Sequence, residues 1–479
     1  MEDSITRVEF QNKLKMLAVK LLHFGLSLFL FAIAWLAFRY HGVIDMTAPG
    51  FRYNVFAVLL YGVIAFFFLR TYDSYLLGYR RVRTLIGAQF LSQVFSLAIL
   101  YAVVSVAWSH FNNPLILVML LVIQVIVDAI WCLTANALYF RVYSQRKTVL
   151  IYREPLDKIR FGSIHGKPLE RLYRITDEIM FDGSFQELEP RLAGYEAIFV
   201  AGVNSHCRNG ILKYCKARNI PGFFLPHIGD TIMMEARHIR SFDSPVLYVE
   251  RKVLDPEYAF VKRTFDIVAA LIGLVVLSPI ILITAIAIKA YDGGPALYKQ
   301  VRLTKDGREF KILKFRSMRV DAEKDGVARL STGSQDDRIT PVGRLIRACR
   351  LDELPQLINI LKGDMSVVGP RPERPEIAEQ YYKTMPDFRL RLQVKAGLTG
   401  YAQVYGKYNT DPYEKLEFDM LYIKDMSILN DLRLIFATFS ILFSSESTEG
   451  VAVGAVTALG CQPGDETQHE KVHVNAGME

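Results

Sequence analysis

Residues 264–288 read TFDIVAALIGLVVLSPIILITAIAI, an almost unbroken apolar run with Ser278-Pro279 near its middle. The run is long enough as a helix to cross a bilayer, which takes ~20 residues. Lys262 and Arg263 precede it and Lys289 follows it, so the flanking charge favours neither end crossing. A proline inside a helix removes one backbone donor and clashes with the preceding turn, bending the helix. The segment is therefore either a kinked span or a broken helix that enters and leaves by one face. The two readings put everything beyond Asp292 on opposite sides of the membrane.

Four earlier apolar runs, about Leu17 to Phe38, Phe51 to Leu69, Ile86 to Trp108 and Pro114 to Phe140, are each near spanning length. The first is not a cleavable signal: it is long, has no clear small-residue cleavage site and is followed at once by further spans. Cations sit before the first run (Lys13, Lys15, Lys20), between the second and third (Arg70, Arg80, Arg81, Arg83) and after the fourth (Arg141, Arg146, Lys147). The connections near Arg39 to Gly50 and Ser109 to Asn113 carry few. The positive-inside bias then places the N-terminus and the chain after Arg141 in the cytoplasm. Gln124 and Asp128, inside the fourth run, are expected to hydrogen-bond between helices.

Composition agrees with this division. Hydrophobic residues make up 51% of the 479 and charged residues 22%, so charge must be segregated from the apolar runs and a wholly embedded chain is excluded. Thirty Phe and 24 Tyr exclude long disorder. A formal net charge of +8 suits anionic lipid or phosphorylated molecules and gives no reason to expect nucleic acid. The five cysteines, Cys132, Cys207, Cys215, Cys349 and Cys461, form no C-x-x-C pair and suggest neither a disulfide framework nor a zinc site.

From Thr148 to about Glu250 the apolar runs shorten to strand length, as TVLIY, EAIFVAG, GFFLP and PVLYV, between polar stretches of helical spacing such as Asn209 to Arg218. This pattern predicts a small α/β domain. The turn after the first strand reads Arg153-Glu154-Pro155-Leu156-Asp157, without the glycines that let backbone amides approach a pyrophosphate. A scaffold or dimerisation role is expected there, not cofactor binding.

Beyond Asp292 the chain turns polar and basic. Lys314-Phe315-Arg316, Asp337-Arg338, Arg344, Arg347, Arg350 and Arg371 crowd together, a density that suits a diphosphate. The alternative is a basic face held against anionic headgroups. Within the cluster lies Leu351-Asp352-Glu353-Leu354-Pro355-Gln356, followed by Leu357, Ile360 and Leu361 at helical spacing. A lone acid at a helix start is ordinarily a cap. Two adjacent acids among arginines suit catalysis of phosphoryl transfer, since the arginines and the helix end would keep Asp352 ionised as a nucleophile and Glu353 could hold a divalent metal.

The stretches KRTFDIVAALIGLVVLSP, DGGPALYKQVR, FKILKFRSM, DDRITPVGRLIR, RLDELPQLINILKGDMSVVGPRP and KAGLTGYAQVYG follow one another in order. Through them the chain, from about Phe260 to Phe443, resembles the bacterial sugar transferase family, the monotopic phosphoglycosyl transferases that move a sugar 1-phosphate from a UDP-sugar to undecaprenyl phosphate. The resemblance implies a membrane protein with four N-terminal transmembrane helices (1–147), a degenerate Rossmann-like α/β domain (148–252) and a mainly helical α+β catalytic domain (258–445). The catalytic domain would be anchored by a re-entrant helix broken at Ser278-Pro279, on the cytoplasmic face of the bacterial inner membrane. A tail, 446–479, is expected to be flexible.

The family's dyad falls on Asp352, as a nucleophile forming a phospho-sugar enzyme with release of UMP, and on Glu353, as ligand to Mg²⁺. Pro370 and Pro372 would preorganise Arg371, with Arg347, Lys314 and Arg316 also at the substrate; Arg338 and Arg344 join them from the basic cluster. The implied partners are a UDP-hexose, undecaprenyl phosphate and the bilayer, with a homodimer compatible. The implied role is the first step of exopolysaccharide, capsule or O-antigen assembly. Many members read Ser where this chain has Arg350, and G-L-W-Q-V-S-G-R where it has Gly400-Tyr401-Ala402-Gln403-Val404-Tyr405-Gly406-Lys407, which leaves the hexose open. Two other readings stand beside this one: a membrane sensor or assembly factor that turns nothing over, and a glycosyltransferase that releases UDP.

Overall fold

In hydrocarbon a helix satisfies its own amides, and the apolar runs at the start of the chain all take that form. They are α1 (Glu2–Tyr40), α2 (Phe51–Thr71), α3 (Val82–Ala107) and α4 (Leu115–Val142). The computed structural model describes residues 2–40, 51–107, 109, 111, 113–155, 157–158, 167–241, 244–319, 338–406 and 411–441. It separates into two units, Met1–Leu225 and Pro226–Glu479. Five of the described helices, the fifth being Pro256–Asp292, are long and apolar enough to cross a membrane. Their outward side chains include Leu22 and Val275, 76% and 73% exposed, a surface that belongs in lipid.

Phe31, Trp35, Tyr61, Leu97, Leu100 and Leu120 fill the interior between the first four helices. Gln124 Nε2 donates to Ser27 Oγ at 3.2 Å and to Tyr61 Oη at 2.9 Å, and His23 Nε2 lies 2.9 Å from Asp128 Oδ1. These are the bonds between helices expected of Gln124 and Asp128.

The first unit continues into β1 (Arg146–Tyr152), β2 (Tyr173–Met180), β3 (Ala197–Ala201), α5 (Ser205–Arg218) and β4 (Gly222–Phe224). The strands form one parallel sheet in the order β2-β1-β3-β4. Alternation divides its side chains. Val149, Ile151, Ile198 and Val200 pack on Cys207, Ile211 and Cys215 of α5, while Leu150 and Phe199 on the other face meet Tyr139, Phe140 and Tyr143 at the end of α4. Cys207 and Cys215 are buried free thiols.

The second unit opens with α6 (Ile228–Glu235), then β5 (Arg237–Ser241) and β6 (Ser244–Tyr248), which pair antiparallel with each other. The PVLYV stretch, expected as a strand of the α/β sheet, is β6 of this separate hairpin. Its partner is the strand just before it, and α6 is tied into the second unit by Ile228 N donating to Tyr413 Oη at 3.2 Å.

Next come α7 (Pro256–Asp292), β7 (Leu297–Leu303), β8 (Glu309–Phe315), α8 (Pro341–Ala348), a 3₁₀ turn at Leu351–Glu353, α9 (Gln356–Lys362) and β9 (Ser366–Val368). After them follow α10 (Pro375–Thr384), a 3₁₀ segment Pro386–Gln393, β10 (Gly397–Thr399), α11 (Pro412–Lys424) and α12 (Ile428–Ile441). β7 and β8 form an antiparallel hairpin, and β9 and β10 a parallel pair. The core gathers Ile312, Ile360, Met365, Tyr381, Phe388, Leu416 and Ile423. The tail and Lys407 lie outside the described residues.

The α7 helix runs on through Ser278-Pro279. Proline 279 has no N–H for the Val275 carbonyl four residues back, and Ser278 Oγ donates to that oxygen at 2.7 Å instead. On one side of the break Ala270 is part of the core, with Ala269 and Leu274 packed against it. On the other side Ile288, flanked by Ile281 and Ala285, clusters with Phe315 and Ile346.

The charges at the head of α7 are spent within the unit. Lys262 Nζ bonds Asp431 Oδ2 at 2.6 Å, Arg263 caps the Ile360 and Leu361 carbonyls at 2.6 and 2.8 Å, and Asp266 Oδ1 accepts from Ser366 Oγ and Val367 N, each at 3.0 Å. Lys262 and Arg263, counted from sequence as flanking charge that favours neither end, are both paired inside the fold.

Candidate active site

The Asp352-Glu353 turn is built by its apolar neighbours. Residues three apart eclipse one another in a 3₁₀ turn, and Leu351 and Leu354 both pack on the Ile288, Phe315 and Ile346 cluster, which leaves the acids on the rest of the turn. Arg350 enters it in the left-handed region, φ 53°, a conformation that costs a non-glycine residue about 1–2 kcal/mol. Upstream, Thr340 caps α8 by accepting from Gly343 N at 2.9 Å. A Cβ at Gly343 would lie 1.9 Å from the Ser317 carbonyl, so only glycine lets α8 start this close to the end of β8. Asn359 fixes the other side: Oδ1 accepts from Leu313 N and Nδ2 donates to Lys311 O, both at 2.9 Å, which sets Lys314 beside the acids.

Two cations converge on one carboxylate oxygen. Arg371 Nη2 donates to Glu353 Oε1 at 2.9 Å and Lys314 Nζ lies 3.5 Å from the same atom, with the Glu353 side chain 12% exposed. Burial opposes ionisation of Glu353, but Arg371, Lys314 and Arg350 outweigh it and hold its carboxyl far below the usual range. Asp352 moves the other way: burial, then the charge of Glu353, pushes it up against the pull of Lys314, Arg347 and Arg371. From sequence, the arginines were expected to keep Asp352 ionised. The structure gives that stabilisation first to Glu353, because the cations touch its oxygen.

The remaining expected site residues divide. Pro370 and Pro372 are buried on either side of Arg371, and that segment is held by Gly369 N on Thr399 O and by Gly397 N on the Pro370 carbonyl, both at 2.9 Å. Because β9 and β10 are parallel, the Pro-Arg-Pro segment and the Gly400–Gly406 stretch, which contains a helical turn at Tyr401–Val404, leave the same end of the pair. Arg347 is half-buried and acts on Asp352 through its charge. Arg344 is exposed, and the Arg338 carbonyl accepts from Arg319 N at 2.9 Å.

Arg316 is not brought to the acids. It forks onto both oxygens of Asp292, Nη1 to Oδ2 at 2.9 Å, and its Nε donates to Pro295 O at 2.9 Å, clasping the end of α7. Ser278 and Pro279 lie within α7.

Sequence reasoning missed the buried groups under this surface. Arg391 and Asp419, 3% and 1% exposed, pair at 2.7 Å. Burial raises Asp419 to about 6 against the pull of Arg391. Glu373 lies 3.6 Å from Arg391 and 3.9 Å from Lys415. Arg302 Nη1 donates to the Pro372 carbonyl at 3.1 Å, and burial draws its guanidinium down to about 10, still charged at neutral pH. A charged residue at an inward strand position, as Arg302 is, was the one available signal.

Among the described residues no three His, Cys, Asp or Glu side chains are grouped to hold a metal. The dyad offers hard carboxylate oxygens. That set fits Mg²⁺, which keeps several waters and binds through one or two carboxylates plus substrate phosphates.

The family model described as Bacterial sugar transferase matches residues 257–445. The chain is 40% identical over 191 residues to a UDP-glucose:undecaprenyl-phosphate glucose-1-phosphate transferase of Caulobacter vibrioides, covering 39% of this chain and 71% of that protein. The chain belongs to the bacterial sugar transferase family. It is also 38% identical over 232 residues to a UDP-N-acetylgalactosamine-undecaprenyl-phosphate N-acetylgalactosaminephosphotransferase of Aeromonas hydrophila, covering 47% of this chain and 53% of the relative. A UDP-glucose:undecaprenyl-phosphate glucose-1-phosphate transferase of Klebsiella pneumoniae is 44% identical over 182 residues, 37% of this chain and 39% of its own length. Against these last two, the match spans about half of the relative or less. The matched residues contain the dyad, Lys314 and Arg371.

Proposed function

We propose that this member of the bacterial sugar transferase family moves a hexose 1-phosphate from a UDP-sugar to undecaprenyl phosphate through a covalent enzyme intermediate. The observation that carries the reading is the convergence of Arg371 and Lys314 on Glu353 with Asp352 next to it. An Asp352 carboxylate oxygen attacks the phosphorus that bears the sugar, and the bond from that phosphorus to the bridging oxygen breaks. UMP departs with the electron pair. A phosphate oxygen of undecaprenyl phosphate then attacks the same phosphorus and expels the Asp352 carboxylate, leaving a lipid-linked diphosphate sugar. Glu353 would hold Mg²⁺, which when bound would neutralise diphosphate charge.

The chain's own residues divide the remaining work. Arg371 and Lys314 keep Glu353 ionised. Burial beside that charge leaves Asp352 less stabilised as an anion and so more reactive once it is deprotonated. Arg347 offers further positive charge for the diphosphate.

Membrane placement follows the same reading. Side chains before and after Ser278-Pro279 pack on the same unit, which supports a re-entrant α7 that keeps the site at one interface. There a water-soluble donor and a lipid acceptor can both reach Asp352. The distribution of cations between the first four helices supports the cytoplasmic face. The relatives' names differ in their sugar, so the proposal stays at the level of a hexose 1-phosphate.

Nucleotide analysis tests the reaction. Purified protein with Mg²⁺, a polyprenyl phosphate and each common UDP-sugar should release UMP with at least one of them. Release of UDP would favour direct glycosyl transfer, and release of neither nucleotide would favour a non-catalytic role.

A further inference from the structure

Arg302 and Arg391 sit beneath the Pro370-Arg371-Pro372 segment and have no part in the chemistry above. Arg391 Nη2 donates to the Arg371 carbonyl at 2.8 Å, and Arg302 Nη1 to the Pro372 carbonyl at 3.1 Å. Two consecutive backbone oxygens are thus gripped by guanidinium groups from different elements, Arg302 from β7 and Arg391 from the 3₁₀ segment before β10. Each grip is itself fixed: Arg391 by Asp419 through Nε at 2.8 Å, and Arg302 by Gln300 Oε1 at 2.7 Å.

The hairpin ties the grip to the dyad. Tyr298 pairs with Lys314 and Arg302 with Phe310, so Arg302 and Lys314 share one face of β7–β8. That face sends one cation to Glu353 and another to the loop that delivers Arg371. The Arg371 side chain is 39% exposed, and where its backbone is held sets the direction from which it reaches Glu353. A guanidinium fork suits such a hold because its donors are rigid and planar.

We propose that Arg302 and Arg391 are positioning residues, which clamp the Arg371–Pro372 backbone so that the Arg371 guanidinium stays docked on Glu353. The inference rests on the sugar-phosphate transfer described above. If the clamp acts through Arg371, losing it matters only while Arg371 is present. A purely structural role would add its damage to any other.

The test is a double-mutant cycle on the full chain in detergent or nanodiscs, read by kcat and KM for UMP release. Arg302→Gln is expected to lower kcat by ~10- to 100-fold, the scale of a small misplacement at a reacting centre, with a smaller change in KM for the UDP-sugar. In the Arg371→Ala background the same change should cost no more than about twofold. Arg302→Lys, which keeps the charge but loses the fork, should follow the same pattern and serves where the glutamine variant does not fold. Losses that multiply in the double variant, or an Arg302→Gln enzyme with unchanged kcat, would overturn the clamp. Absence of UMP release from the unmodified protein would instead overturn the reaction, and with it the clamp's role.

Discussion

Replacing Arg371 by Gln removes the 2.9 Å bond to Glu353 Oε1 and leaves Lys314, 3.5 Å away, as the cation in contact. A hydrogen bond to a charged group contributes about 1.5–3 kcal/mol, so without it the Glu353 carboxyl should rise from its depressed value. The sign follows from its depressed value: the ionised form is present above the folded pKa and lost as pH falls through it, so raising that pKa brings the loss to higher pH. Asp352, which Arg371 also lowers, shifts in the same direction. With one donor gone from the charge-stabilising set, turnover at neutral pH should fall by about 10²- to 10³-fold. UMP release measured from pH 4 to pH 9, at saturating donor and acceptor, reads the fall in turnover and the movement of the Asp352 limb, while Glu353, held far below that range, stays ionised throughout. An acid limb that stays where it is in Arg371→Gln would refute the idea that this guanidinium keeps the dyad charged.

Asp419→Asn removes the closer carboxylate from the buried Arg391 guanidinium and leaves it Glu373 at 3.6 Å; breaking a buried pair costs about 3–5 kcal/mol, so the thermal transition of the catalytic unit should drop by on the order of 10 °C. A transition unchanged in calorimetry would mean that the pair at 2.7 Å contributes nothing. Gly343→Ala places a Cβ 1.9 Å from the Ser317 carbonyl and forces α8 away from β8, so both kcat and thermal stability should fall, whereas an unaffected variant would show that the approach is not needed. Replacing Ser278 and Pro279 together by Leu restores the backbone donor to the Val275 carbonyl and favours a straight span, so protease in sealed vesicles should reach a catalytic unit that it does not reach in the unmodified protein. Equal accessibility of the two proteins would argue against a re-entrant helix.

The membrane helices were legible because a run such as Leu17 to Phe38 has no soluble alternative, and β1 and β3 because TVLIY and EAIFVAG are apolar enough to be buried on both faces. β2, with the sequence YRITDEIM, was not: at the sheet edge only Tyr173 and Ile179 need burial, and its polar positions break any strand period. β6 was read into the α/β domain because strand propensity says nothing about which sheet a strand joins, and β5 was not read at all.

At the candidate site, Asp352, Glu353 and Arg371 stood out as acids and an arginine in unusual company. Their supports did not. Arg391 meets Asp419 across 28 positions and Arg371 meets Glu353 across 18, pairings that no local period encodes. Arg316 looked like its neighbour Lys314 in sequence, yet Lys314 turns to the acids while Arg316, just past the end of β8, finds Asp292. Charge counting likewise treated Lys262 as flanking charge of the apolar run, although it pairs with Asp431.

Whether Asp352 becomes a phosphodiester decides the mechanism. Intact-protein mass spectrometry after mixing enzyme with Mg²⁺ and a donor UDP-sugar, with no polyprenyl phosphate added, should show one added hexose phosphate per chain, a matching amount of UMP, and neither in Asp352→Asn. Label retained on the Asp352→Asn protein, or UMP that appears only once the lipid acceptor is supplied and never with a modified chain, would contradict it.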